Sequence, residues 1–265
     1  MKNKLMSIIV LNWCRKHYTK QTIESIVKKT TIPHELILVD NNSAPESGVK
    51  DYLASVNTSN TNAKEVKYVF NNKNLGVAGG RNSGLVVANG DYLVTIDDDV
   101  KVPDKWDVLL KQACDKVAKL GITGVSVEPI KYPIKVINGV RIRPKTVGNL
   151  GGACLCIPRR VFRSVGYYRI FGQYGLEDSD YFVRLNHLGL MSAYIEPKGI
   201  HLDTDADKAY RAAKDRAHKK RSPQLCAFAA AKAEYQKTGN VYVPNIEYDP
   251  DDPKWSNFEK FDGLI

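Results

Sequence analysis

The sequence predicts an α/β fold: a mixed, mainly parallel central sheet with helices on both faces, followed by a helical C-terminal extension. Three observations carry this expectation. Apolar, β-branched runs recur at Ser7–Leu11, Glu35–Val39, Val66–Phe70 and Leu93–Ile96, with the length and composition of buried strands. Stretches with apolar residues at helical spacing lie between several of them, as in a βαβ chain. The runs also end in polar clusters, notably Asp40-Asn41-Asn42-Ser43 and Asp97-Asp98-Asp99. Open α/β sheets place their ligands at the carboxyl ends of strands.

The first run leads into a helix over Tyr18–Lys29, where Ile23, Ile26 and Val27 share a face and Lys28 and Lys29 suit the last turn. Pro33 ends it. After the second strand, Asn42 or Ser43 either faces a ligand or only caps the following turn. Tyr52–Ala63 closes in Ser, Asn and Thr and reads as a loop. The third strand runs into Asn74-Leu75-Gly76 and Gly79-Gly80-Arg81-Asn82. These glycines allow close backbone approach, and a helix from about residue 79 to 88 would aim its N-terminus at an anion.

Three adjacent acids at the end of the fourth strand repel one another. They form either an exposed acidic turn or, as the buried strand favours, a divalent-metal site. Pro103 and Asp104 then open a helix whose apolar face holds Trp106, Leu109, Leu110, Ala113 and Val117, with Trp106 in the core. Asn138-Gly139 marks a hairpin between two short strands. Gly151-Gly152-Ala153, a strand at Cys154–Ile157 and a short helix at Arg159–Val165 follow. Gly175 precedes a helix with Glu177, Asp178 and Asp180 in its first turn, a placement that the helix dipole alone would favour. His201 follows a strand at Ser192–Ile195.

With 265 residues the chain has room for a domain over residues 1–205 and a basic helical extension over 206–265. No apolar stretch approaches the ~18–20 residues of a membrane span, and the N-terminus lacks the pattern of a signal peptide. Five cysteines without a regular framework suggest reduced thiols and a cytoplasmic protein, with Cys154 and Cys156 packing in the core. The net charge of +10 matches the excess in residues 101–170, which hold fourteen basic and four acidic side chains. Lys131–Ile170 contains no acid at all. That span points either to an anionic partner or to solubility and contact with anionic substrate groups.

Together these pieces resemble the family 2 glycosyltransferases of the GT-A fold. The resemblance is carried by Ser7–Asn12, Leu38-Val39-Asp40-Asn41-Asn42-Ser43, Asn74-Leu75-Gly76, Gly80-Arg81-Asn82, Gly90-Asp91-Tyr92, Asp97-Asp98-Asp99 and Gly151-Gly152-Ala153. Leu176-Glu177-Asp178-Ser179-Asp180-Tyr181 with Arg184 completes it, in the family's order. It implies that Asp40 binds the nucleobase of a nucleotide-diphosphate sugar, and that Arg81 lies near the base or phosphates. Asn12, Asn74 and Gly76 would join them on the donor side, and Asp97 and Asp98 would face the ribose and metal. Asp99 would ligate Mn²⁺ or Mg²⁺, with His201 and Asp97 as further ligands. Asp178 matches the general base, and Gly151 and Gly152, with Glu177 beside them, the acceptor wall.

Such a set fits a single displacement with inversion: a cation neutralises the leaving diphosphate and one carboxylate takes the acceptor's proton. A sugar-phosphate nucleotidyltransferase would need a glycine- and basic-rich loop after the first strand, but Asn12-Trp13-Cys14-Arg15-Lys16-His17 has no glycine. A non-catalytic nucleic-acid binding module would not need the acid triplet. UDP is the expected nucleotide. The acceptor is open between a surface or cell-wall glycan and a polyanion, the latter most sharply DNA bearing a hydroxylated base. Arg141, Arg143 and Lys145, and a second cluster over Lys208–Arg221, would then contact that polyanion.

Overall fold

The computed structural model describes residues 4–59, 61–145, 148–203, 208, 211–212 and 222–255. Most of the second basic cluster therefore lies outside the described residues.

Four parallel strands form one half of a nine-stranded sheet: β1 (Met6–Asn12), β2 (His34–Asp40), β3 (Ala63–Phe70) and β4 (Tyr92–Asp97). A two-residue β5 (Val100–Lys101) follows, then β6 (Leu120–Gly124), β7 (Lys135–Ile137), β8 (Val140–Lys145), β9 (Cys154–Pro158), β10 (Met191–Ile195) and β11 (Ile200–His201). The main sheet runs in the order β3-β2-β1-β4-β9-β6-β10-β8-β7, while β11 pairs with β5 apart from it. Strand β9 is antiparallel to both β4 and β6, which makes the sheet mixed, as the sequence predicts.

Register aligns the strand ends that matter. Asn12 lies opposite Asp40, and Leu11 opposite Asp97. Ile96 pairs with Cys154, and the Asp97 amide donates to the Ala153 carbonyl at 3.0 Å, so the glycine pair is drawn beside the acid triplet. The central strands are buried on both faces and need continuous apolar runs, whereas β3 at the edge mixes exposed and half-buried residues.

Helices cover both faces. Alternate residues of β1 point to opposite sides, with Ile8 and Val10 in one cluster and Ile9 in the other. Helix α1 (Lys16–Lys29) packs on the first side through Ile23 and Ile26. A short α2 (Val49–Ala54) lies on the same side through Val49 and Leu53, and α3 (Gly76–Val87) lies on the other through Ala78 and Leu85. Helix α4 (Trp106–Lys116) joins the first cluster through Trp106 and Leu110. Helices α5 (Arg159–Val165) and α6 (Glu177–His187) join the second. Helix α7 (Ser222–Thr238) contacts α6. Among the described residues no helix is long and apolar enough to cross a membrane.

Three elements differ from the sequence reading. Strand β6 is not marked as a strand by Leu-Gly-Ile-Thr-Gly, because its two glycines interrupt the apolar run. Helix α2 enters the segment expected to be loop, held by Val49 and Leu53 in the core. Helix α3 starts at Gly76, three residues early, because three side-chain and backbone acceptors cap it, as described below. The hairpin forms where expected, with Asn138 and Gly139 both at positive φ, 49° and 76°. All five cysteines are free, and Cys154 and Cys156 are buried.

A buried carboxylate ties the amino ends of three strands. Glu35 accepts from Ser7 Oγ, from the Asn89 and Gly90 amides and from Lys67 Nζ on β3. Burial alone would raise its pKa, but the bonds from Lys67, Ser7 and Asn89 outweigh it and hold the carboxyl below its ordinary value. Glu35→Gln should therefore cost about 1–3 kcal/mol in urea unfolding at pH 7. Because the folded-state pKa is depressed, the wild-type advantage is present above the ordinary glutamate range. It should fade as pH falls through that range.

Candidate active site

At the carboxyl edge of the parallel strands lies a cleft of about 380 Å³, the size of a small-molecule site. Its walls come from the loop after β1, the end of β4, the start of α3, the glycine pair before β9 and the segment before α6. Two arginines organise its carboxylates.

Arg81 on α3 is 2% exposed. Its Nη1 donates to Asp178 Oδ1 at 3.0 Å and lies 3.5 Å from Glu177 Oε1. Its Nη2 donates to Asp97 Oδ1 at 2.9 Å and to the Gly152 carbonyl at 3.0 Å. One guanidinium thus joins β4, the glycine pair and the first turn of α6. The geometry gives Arg81 protein carboxylates as partners, where the resemblance implies a place near the base or the donor phosphates. Burial pushes the Asp178 carboxyl up to about 7; Arg81 opposes the rise, while Glu177 and Asp97 add to it. A Cβ on Gly152 would stand 2.3 Å from Asp178 Oδ2, so this position must be glycine for Asp178 to sit against the wall.

Arg15, in the loop after β1, reaches the rest of the triplet. Its Nη2 contacts Asp98 Oδ1 and lies 3.0 Å from Asp99 Oδ2, and Nη1 lies 3.3 Å from Asp203 Oδ2. Asp98 is buried, and desolvation pushes it up to about 7, with Arg15 opposing the rise and Asp99 adding to it. His201 Nε2 stands 3.5 Å from Asp99 Oδ2, within reach of two ligands on one cation. Among the described residues no three His, Cys, Asp or Glu side chains form a preformed metal cage.

A third hub is polar and neutral. Asn41 Oδ1 accepts from the Leu75 amide and from Asn71 Nδ2, and its Nδ2 donates to Asn74 Oδ1 and the Gly76 carbonyl. Asn74 Oδ1 also accepts from the Gly76 amide, and the Val77 amide donates to the Gln173 carbonyl at 2.9 Å. The start of α3 is therefore capped from within the protein, which accounts for its early onset. It does not present these amides to an anion, as the sequence suggested. Gly76 sits at φ +67°, and a Cβ there would meet the Gln173 carbonyl oxygen at 2.3 Å.

Asn74, Gly76, Asp97, Asp98, Asp99, Gly151, Gly152 and His201 line the cleft as expected of site residues. Asn12 does not: it is fully buried, and its amide donates to the Val10 and Val39 carbonyls at 2.9 and 3.0 Å. Asp40 is also buried, accepting from the Ser43 amide at 3.0 Å. Arg141, Arg143 and Lys145 lie on β8 near the far edge of the sheet, outside the cleft lining. Arg143 pairs with Glu196 at 2.5 Å and Arg141 at 3.3 Å, so one acid from beyond the basic span is shared by two of its arginines. Sequence reasoning did not assign Arg15, Trp13, Asn41, Gln173 or Tyr174 to the site. Arg15 and Asn41 each follow a strand end and had that signal; Gln173 and Tyr174 sit in a loop and had none.

The family model described as glycosyl transferase family 2 matches residues 7–152, more than half of the chain. The chain belongs to this family. It is 29% identical over 104 residues to WcaA of Escherichia coli strain K12, named as a colanic acid biosynthesis glycosyl transferase, covering 39% of this chain and 34% of that one. It is 28% identical over 109 residues to WfgD of Escherichia coli, a UDP-Glc:alpha-D-GlcNAc-diphosphoundecaprenol beta-1,3-glucosyltransferase, covering 41% of this chain and 40% of that one. The chain thus spans well under half the length of these two relatives. Among solved structures it resembles the mannosyltransferase PcManGT of Pyrobaculum calidifontis in complex with GDP-Man and Mn²⁺. That match has a TM-score of 0.60 and 15% identity over 89% of this chain and 70% of that one. The shared fold is GT-A. Asp178 lies beyond the span matched by the family model, and it is Arg81 that draws it to the matched part.

Arg81→Met would leave Asp97, Asp178 and Glu177 facing one another without their cation. Urea unfolding at pH 7 should show a loss of about 3–5 kcal/mol. The loss should shrink as pH falls and the carboxylates take up protons.

Proposed function

We propose that this protein is an inverting glycosyltransferase that moves a sugar from a nucleotide-diphosphate donor, UDP-linked in the simplest reading, to an acceptor hydroxyl. The observation that carries the reading is the placement of Asp178: a desolvated carboxylate, bridged by Arg81 to Asp97 at the acidic end of β4 and packed against Gly152 of the cleft wall.

A half-buried carboxylate that desolvation lifts to about 7 is matched to taking a proton from a hydroxyl. Asp178 Oδ2, packed against Gly152, is the oxygen we assign to that step, since Oδ1 is held by Arg81. As the acceptor oxygen bonds to the anomeric carbon, the bond from that carbon to the diphosphate oxygen breaks and its electron pair leaves with the diphosphate. A single displacement inverts the carbon. Asp99 and His201 would hold a divalent cation, and Mn²⁺ in the PcManGT complex supports that choice. Such an ion, when bound, neutralises charge on the departing diphosphate.

For the acceptor, a cell-surface or cell-wall glycan is the reading we favour. The names of WcaA and WfgD support it. A polyanion such as DNA with a hydroxylated base draws on the basic span, where Arg141 and Arg143 are already paired with Glu196. Nucleotide sugars and free thiols both suit the cytoplasmic side.

Asp178→Asn should keep nucleotide binding by calorimetry yet transfer sugar about 10²–10⁴-fold more slowly. In the wild type, kcat/KM should rise with pH through about 7 and level off above, because the base works deprotonated. NMR of the product should show inversion, and a retained configuration would sink the single displacement. Asp99→Asn and chelation should each abolish turnover with the fold intact by circular dichroism, and full activity in EDTA would remove the metal from the reading.

A further inference from the structure

Asp99 Oδ2 is claimed twice. It is the oxygen that faces His201 Nε2 at 3.5 Å, and it is the oxygen that Arg15 Nη2 approaches to 3.0 Å. A cation bound between Asp99 and His201 would share that oxygen with a guanidinium, placing two like charges a few ångströms apart in a poorly solvated cleft. The rest of the fork is engaged as well: Nη2 also meets Asp98 Oδ1, and Nη1 meets Asp203 Oδ2 at 3.3 Å. Arg15 therefore bridges three carboxylates drawn from two separate parts of the chain. It sits in the loop between β1 and α1, and it lines the cleft. A long side chain in such a place can re-aim without moving its backbone.

We propose that Arg15 is the resident countercation of the acidic strand end, giving up Asp99 to a divalent ion when a nucleoside diphosphate arrives to receive the guanidinium. The proposal deepens the reading above and rests on Asp99 and His201 being the metal ligands. The fork of an arginine pairs with phosphate oxygens as well as with carboxylates, so the exchange keeps its hydrogen bonds. Metal and donor would then bind cooperatively: neither displaces Arg15 well alone, and each prepares the site for the other. By linkage the metal should raise nucleotide affinity by the same factor as nucleotide raises metal affinity.

The test is a titration of the full chain with Mn²⁺, followed by the electron paramagnetic resonance of free ion, alone and with saturating UDP or GDP. Wild type should bind Mn²⁺ weakly alone and about 5–100-fold more tightly with one of the nucleotides. Arg15→Ala should bind Mn²⁺ alone several-fold more tightly than wild type, with most of the nucleotide coupling lost. Its melting temperature in EDTA should be lower than that of wild type and should rise further on adding Mn²⁺, because the metal replaces the missing charge. If Arg15→Ala does not fold, Arg15→Lys serves: one ammonium cannot span three carboxylates, so the same directions are expected. Equal Mn²⁺ affinity and equal coupling in wild type and variant would overturn the proposal and leave the metal reading standing. No Mn²⁺ binding by wild type with either nucleotide would overturn both.

Discussion

The interaction on which the site depends is a single buried guanidinium. Arg81 stands almost fully out of water, and a cation so placed is tolerable only if acceptors surround it. They do: Asp97 from β4, the Gly152 carbonyl before β9, and Glu177 and Asp178 from α6. The consequence is positional. Segments separated by about a hundred residues of chain are fixed within hydrogen-bond distance of one another because the charge demands it. The same requirement explains why Gly152 has no side chain, since a Cβ would lie 2.7 Å from Arg81 Nη2 as well as against Asp178.

The triplet at the end of β4 is divided by two arginines. Asp97 belongs to Arg81, and Asp98 and Asp99 belong to Arg15. Three adjacent carboxylates are thereby shared between two guanidinium groups. Asp98 is desolvated enough to titrate near neutral pH despite its partner. Asp99 shares its outer oxygen with His201. The division places Asp97 beside Asp178 and Asp99 beside His201, a distinction that three identical letters in a row do not reveal.

What the sequence disclosed follows from what short-range patterns encode. Continuous apolar runs mark β1, β2 and β4, because central strands are buried on both faces. Asn138-Gly139 marks its hairpin because few other residues accept two positive φ angles. The acid triplet was legible as chemistry because adjacent carboxylates are costly at a buried strand end, whereas Asp178 stood out only through the family resemblance, since acids are common at helix starts. Their partners were not. Nothing local in Gly-Gly-Arg-Asn says that Arg81 faces inward, nor does the sequence around Glu196 say that it will reach from the end of β10 to Arg143 on the neighbouring β8. Those are contacts of long sequence separation, decided by register. Strand β6 escaped for the opposite reason: its position in the middle of the sheet makes it a strand in spite of glycines that local propensity disfavours.

Register also explains how α6 is fastened at its far side. Asp180, one turn into the helix, is fully buried and pairs with Arg184 at 2.7 Å; it also accepts the hydroxyl of Tyr235 on α7 at 2.7 Å. Arg184 donates onward to the Val165 and Tyr167 carbonyls, and Arg169 donates to the Tyr235 oxygen. Helix α6 is therefore gripped at both ends of its first turn, by Arg81 through Glu177 and Asp178 and by Tyr235 through Asp180. A carboxylate acting as a base, the role we propose for Asp178, must be held to a fraction of an ångström, and one on a frayed helix start would not be. Two anchors on opposite sides of one turn, one a guanidinium and one a phenol hydroxyl, supply that rigidity. The one on α7 lies more than eighty residues beyond the end of the span that the family model matches.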